Sequence, residues 1–267
     1  LYADEAQYWV WAQDLRLGYY TKPPLIAWLI AGTTALCGDG EGCVRLASPL
    51  LHATTALLLG AAAARLFDRR IGFWTALTYA TLPAVSVSST IASTDAPLLT
   101  AWAAGLYALV RLRERAAPGW WALLGLAVGV GLLAKYAMAG FVLSLAVWLA
   151  LDRPARAILR GKGPWIGAAL ALAVLSPNLA WNLANRFATV RHVGENTNLA
   201  RGVAFDPLTA AEFVGAQFGV FGPILFALLL WVLSRRDTWR EPRARLLALF
   251  VVPLGAIMLT QSFLSRA

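Results

Sequence analysis

The chain has 267 residues, 59% of them hydrophobic and only 14% charged, with a mean hydropathy of +0.62. Soluble domains carry about 25% charged residues, so a water-soluble fold is excluded, together with disorder, coiled coil and collagen, and an all-α polytopic membrane protein is left. The formal charge of +9 does not point to nucleic acid, because the basic residues form short clusters between apolar runs, and the twelve Trp suit interfacial aromatic belts.

In chain order, residues 1–43 read as a first outer loop with interfacial helices. The sequence opens at Leu1, not Met, and reaches a dense polar motif at Asp4. A preceding helix is therefore expected outside it, and the far end likewise reads as cut. Asp4-Glu5-Ala6-Gln7-Tyr8-Trp9 joins two carboxylates to aromatics. A carboxylate beside a greasy, partly dry site is a competent general base; acids at a helix N-terminus also simply complement its dipole. In Gly18-Tyr19-Tyr20-Thr21-Lys22-Pro23-Pro24-Leu25, two prolines suit a helix start. They hold Lys22 at headgroup level, either for a phosphate or as a snorkelling lysine. Leu25–Leu36 is short for a span and reads as interfacial or re-entrant. Cys37 and Cys43 flank a glycine-rich turn and could close a disulfide in an oxidising compartment.

Residues 44–267 read as a transmembrane bundle of about eight spans. These are Val44–Leu66, Ile71–Ala92, Ala96–Leu112, Trp120–Ala134, Tyr136–Leu151, Trp165–Trp181, Ala211–Leu233 and Leu246–Phe263. Alternating sides along them places 15 of the 23 Lys and Arg residues in four loops on one face. Those loops hold Arg65 to Arg70, Arg111 to Arg115, Arg153 to Lys162 and Arg235 to Arg245, and the positive-inside rule makes that face cytoplasmic. The inner loops carry no phosphate-binding glycine motif, so chemistry is expected on the outer face, where a substrate must be carried by a lipid or arrive from outside.

The outer face holds three further groups of interest. Ser93-Thr94-Asp95-Ala96-Pro97 starts a helix, where Asp95 is a cap or a cavity residue. Lys135-Tyr136 lies between two apolar runs, where a charge is costly; it reads as a functional candidate or as a snorkelling turn lysine. A polar outer loop near 182–209 contains Arg186, Arg191 and His192 beside aromatics, a pairing that suits an anionic headgroup or an ordinary surface loop. His52 falls within a span and reads as packed. Two cysteines and two histidines do not make a cysteine-rich zinc site. The Gly125/Gly129 pair has the small-xxx-small form of close helix packing.

Taken together, these motifs resemble the polyprenyl-phosphate-dependent membrane glycosyltransferases of the GT-C fold (glycosyltransferase family 39). That group includes the protein O-mannosyltransferases and lipid A aminoarabinose transferases. The resemblance runs from Asp4-Glu5 through Lys22-Pro23-Pro24, Arg45-Leu46, Thr94-Asp95-Ala96-Pro97, Lys135-Tyr136 and Pro177…Trp181-Asn182 to Phe205-Asp206-Pro207. It implies that Asp4 deprotonates the acceptor and that Glu5 orients or tunes it. Lys22, Lys135, Arg191 and Arg266 become candidates to neutralise the donor phosphate. Tyr8, Asp95, Tyr136 and His192 would wall the cavity. The implied reaction is an inverting displacement at the anomeric carbon, with no obligatory cofactor or metal and with lipid A, an envelope glycan or a protein as acceptor. The implied location is a bacterial inner membrane with the site facing the periplasm. A transporter or lipid-carrier flippase is the alternative, and it would place ionisable residues near the bilayer midplane.

Overall fold

A computed structural model describes residues 1–196 and 206–264. The described residues are helical throughout, without strands. The chain enters through α1 (Ala3–Gln13), α2 (Leu25–Cys37) and the short α3 (Glu41–Arg45). There follow α4 (Ala47–Leu66), α5 (Arg69–Ala80), α6 (Pro83–Ser88), α7 (Asp95–Glu114), α8 (Pro118–Ala134) and α9 (Ala139–Leu151). The chain ends through α10 (Gly163–Ala184), α11 (Ala188–Asn196), α12 (Pro207–Phe221), α13 (Pro223–Ser234), α14 (Arg236–Arg240) and α15 (Pro242–Leu264).

All eight apolar runs are helical, but two are broken. The second stops at Thr81-Leu82, where Pro83 opens a new helix. The seventh bends by 112° between α12 and α13. Gly222 there takes a positive φ of 79°, and Pro223, lacking an N–H, can only start the next helix. By length and composition three helices can cross a membrane, Glu41–Leu66, Gly163–Ala184 and Pro242–Leu264, and the bent pair makes a fourth. Polar residues from Asn182 onward, which read as loop, begin inside α10, and α11 follows within the same stretch.

The main core is built around α7, whose buried Ala96, Ala101, Ala103, Gly105 and Ala108 let α4 and α8 approach closely. Phe141 fills the junction, with Trp102 and Phe250 edge-on at 5.1 and 5.0 Å, and Trp148, Leu112 and Leu246 extend the cluster. Leu57, Phe73, Trp165, Leu172 and Ile224 are among the large apolar side chains left on the outside. Apolar residues facing outward in such number suit a hydrocarbon solvent.

Small residues set the helix contacts. A Cβ on Gly125 would run into the Gly167 carbonyl of α10, and one on Gly129 would meet the Val174 side chain at 2.7 Å. Because the obstacle at Gly125 is backbone, it cannot turn aside. Gly125→Val is therefore expected to separate α8 from α10 and lower the thermal midpoint of the purified protein markedly. Val at Gly32, which faces open space, should leave it within a degree or two.

The two ends of the bundle differ in charge. At one end Arg65 and Arg111 meet Glu114, and Arg245 pairs with Asp152 at 2.6 Å. Basic loops from separate parts of the sequence thus gather on one side. The other end carries α1, the start of α7 and the turn after α8, where Glu5 pairs with Arg45 and Lys135 with Asp95.

Candidate functional site

The site is built on α1. Tyr2 caps this helix while Glu5, three residues on, reaches back to the Tyr2 N–H at 2.8 Å. The Glu5 carboxylate is only 2% exposed and is fully engaged. Arg45 grips it in a two-pronged pair, Nε to Oε1 at 2.7 Å and Nη2 to Oε2 at 2.6 Å, and the Ala92 N–H donates to Oε1 at 2.8 Å. The hydrogen bonds from Arg45, and then those from the Ala92 and Tyr2 amides, outweigh burial and lower its pKa to about 2. Glu5 therefore stays ionised and has no free lone pair directed outward. Its effect is to clamp α1 onto α3 and the segment leading into α7.

With Glu5 fixed, its neighbour Asp4 stands exposed on the adjoining face of α1. One turn on, Tyr8 is buried and its hydroxyl is hydrogen-bonded to Asp4. Burial first, then the charges of Asp4 and Asp95, push the phenol up to about 12. A phenol so shifted stays protonated and can donate to the Asp4 carboxylate. Asp95 opens α7, and its Oδ1 pairs with Lys135 Nζ at 2.7 Å. Lys135 ends α8, where a cation complements the helix dipole. The structure therefore brings Asp4, Tyr8, Asp95 and Lys135, spread over 131 residue positions of sequence, to one end of the bundle.

The other sequence candidates lie as follows. The Tyr136 hydroxyl donates to Asn178 Oδ1 at 2.7 Å and accepts from Asn182 at 3.0 Å. Asn178 in turn donates to the Leu17 carbonyl at 2.8 Å, so Tyr136 is part of a buried knot tying α10 to the first loop. That knot demands Gly18, where a Cβ would meet Trp181 at 2.5 Å. Lys22 is half-buried and has no ion pair with a described carboxylate. His192 packs its ring on Tyr20 at 5.1 Å, and Arg191 beside it is exposed. A disulfide joins Cys37 to Cys43. Arg266 lies outside the described residues. His52 is buried between Tyr79 and Ser88, at 2.9 and 3.0 Å.

Three residues without an assigned role prove central, namely Arg45, Asn178 and Asn182. The i, i+4 spacing of the two asparagines was a signal for a shared helix face. The partnership of Arg45 with Glu5 had none beyond charge balance.

One cavity borders Asp95, and a second lies along α1. The first, of about 420 Å³, runs between α6 and α12, with Ser88, Ser93 and Asp95 supplying its polar wall and Ala216, Gly219 and Val220 part of its apolar one. The other, of about 480 Å³, lies beside α1 and is lined by Gln7, Trp11, Tyr19, Tyr20, Trp181 and Asn185, among others. Trp11 and Tyr19 stack at 4.4 Å along its edge.

The family model described as dolichyl-phosphate-mannose-protein mannosyltransferase matches residues 21–181. Over its whole length the chain is 39% identical to the lipid A galacturonosyltransferase RgtD of Rhizobium johnstonii, covering 56% of that protein. It is 31% identical to undecaprenyl phosphate-alpha-4-amino-4-deoxy-L-arabinose arabinosyl transferase 1 of Pseudomonas fluorescens, over 94% of this chain and 46% of the relative. The chain thus spans about half the length of these relatives. The same fold occurs in crystal structures of ArnT from Cupriavidus metallidurans. The apo state gives a TM-score of 0.68 at 22% identity, and the form bound to undecaprenyl phosphate gives 0.73 at 20%; each covers 93% of this chain and just under half of ArnT. This chain is a membrane protein of the dolichyl-phosphate-mannose-protein mannosyltransferase family, with the GT-C fold.

Proposed function

We propose that the protein transfers a sugar from a polyprenyl-phosphate carrier, such as undecaprenyl phosphate, to lipid A or a related envelope glycan at the periplasmic face of a bacterial inner membrane. The observation that carries the reading is the convergence of Asp4, Tyr8, Asp95 and Lys135, with a cavity bordering Asp95, in a chain whose relatives are named for such transfers. In the reaction, the Asp4 carboxylate takes the proton from the acceptor hydroxyl as the hydroxyl oxygen bonds to the anomeric carbon. The bond from that carbon to the carrier phosphate breaks, and the phosphate leaves with both electrons. Lys135, held by Asp95, meets the charge that grows on it. Lys22 is a second cation for that phosphate, Arg191 and Arg266 are further candidates for the same role, and His192 is a candidate for the cavity wall. Glu5 acts as a positioning residue for Asp4 through the clamp on Arg45. The cavity bordering Asp95 suits the lipid-linked donor, and the aromatic cavity beside α1 suits the acceptor saccharide, whose apolar faces lie on Trp and Tyr rings.

Support for the sidedness comes from the charge split between the two ends and from the disulfide on the less basic one. The test is transfer of labelled sugar by the purified full-length protein from a panel of polyprenyl-phosphate donors to lipid A. Transfer from one of them supports the reading, and none from any donor sinks it. In the same assay, Lys135→Met is expected to lower kcat/KM about 10- to 100-fold through loss of a charge-assisted contact to the leaving phosphate. Lys135→Arg should recover part of that loss. An unchanged kcat/KM in Lys135→Met would remove the lysine from the site.

A further inference from the structure

At the basic end, opposite the catalytic cluster, a cavity of about 270 Å³ lies where the last turn of α7, the end of α9, the segment Pro154–Leu159 and the first turn of α15 meet. Its walls include Arg113, Trp148, Asp152, Pro242 and Arg245. Two guanidinium groups thus face one carboxylate, and that carboxylate is already occupied. Asp152 is 5% exposed; it accepts from Arg245 Nη2 at 2.6 Å and from the Ala155 N–H at 3.3 Å.

The donors around it are in surplus. Arg245 Nε is buried without an acceptor. The indole N–H of Trp148, a residue 1% exposed, is likewise buried and unpartnered. Arg113 is half-buried and makes no ion pair with any described carboxylate. The nearby Arg156 is not in surplus, because it caps α9 by donating to the Leu149 and Ala150 carbonyls at 2.9 and 2.6 Å. An unmet buried donor costs about 1–3 kcal/mol, more when charged, so two beside one cavity, with the half-buried Arg113 unpaired on its wall, are expensive unless an acceptor enters. Guanidinium forks match phosphate oxygens in shape and charge. In a membrane protein this basic end also sits at the depth of lipid headgroups.

We propose that this cavity binds a phosphate group, Arg113 and Arg245 gripping its oxygens, and that the phosphate belongs to an anionic phospholipid of the leaflet on the basic side. Such a lipid would tie α7, α9 and α15 together at the end remote from the chemistry. The inference does not rest on the proposed transfer reaction.

Full-length protein in neutral detergent would be titrated with phosphatidylglycerol, phosphatidylcholine or inorganic phosphate. Retained lipid would be counted by native mass spectrometry and the thermal midpoint recorded. One phosphatidylglycerol is expected to be retained and to raise the midpoint, with phosphatidylcholine weaker. Half-saturation should be at least about fivefold weaker in Arg113→Gln and unchanged in Arg115→Gln, an exposed arginine two residues away. A midpoint rise with inorganic phosphate alone, abolished by Arg113→Gln, would keep the phosphate site and assign it to free phosphate in place of lipid. If Arg113→Gln fails to fold, Arg113→Lys, which keeps the charge and loses the fork, should show the same weakening. Equal loss in Arg115→Gln, or no specific retention by the unaltered protein of either phosphate source, would overturn the proposal.

Discussion

Asp4→Asn in the full-length protein is expected to lower kcat for sugar transfer by at least about 100-fold, the low end of what a positioned base contributes, while the variant still binds the polyprenyl-phosphate donor. The amide keeps the shape of the side chain and its contact to Tyr8 but cannot accept a proton. Separate measurement of donor binding and single-turnover transfer isolates that step. Loss of binding along with transfer would make Asp4 a structural residue, and retention of normal transfer would place the base elsewhere. Tyr8→Phe is the milder companion. It leaves the Asp4 carboxylate in place and removes the hydrogen bond that orients it, so its cost should be smaller and should fall on kcat.

The second large effect concerns stability. Arg45→Met strands a buried carboxylate, and removal of one partner of a buried pair costs about 3–5 kcal/mol. The variant is expected to unfold well below the unaltered protein in a detergent melt. The double variant Glu5→Leu/Arg45→Met should recover most of the loss, because no charge is then left without a partner. The pair also dictates a pH response. The folded-state pKa of Glu5 is lowered from 4.5 to about 2, so its contribution is fully present above about pH 4.5. That contribution fades as the pH falls toward 2. Stability measured across that window should drop less steeply in Glu5→Gln than in the unaltered protein. Parallel curves would show that Glu5 is not the titrating group.

These two neighbours illustrate what a sequence can and cannot reveal. Asp4-Glu5 was legible as a paired-acid motif, and the distribution of arginines is what points to an outer location for it. Which acid is free and which is clamped depends on Arg45, forty residues on, and on the Ala92 amide, eighty-seven residues on. No local pattern encodes either contact. Hydropathy located every long helical run, since apolar length alone decides that. It passed over the interruptions at Thr81-Leu82 and Gly222-Pro223, although Pro223 marked the second. Asn182 read as loop because it is polar, whereas the fold buries it with Asn178 inside α10 and ties the two to Tyr136 and the Leu17 carbonyl. Polar groups were thus read by their average preference, and their partners, distant in sequence, set the outcome.

The most direct test uses proteoliposomes in which the full-length protein has one known orientation, a labelled sugar–polyprenyl phosphate in the bilayer, and lipid A supplied on one side only. The account predicts labelled lipid A when the acceptor meets the face bearing Asp4 and Lys135, and none when it meets the basic face. Transfer from the basic face, or movement of the labelled carrier between leaflets without any labelled lipid A, would contradict it.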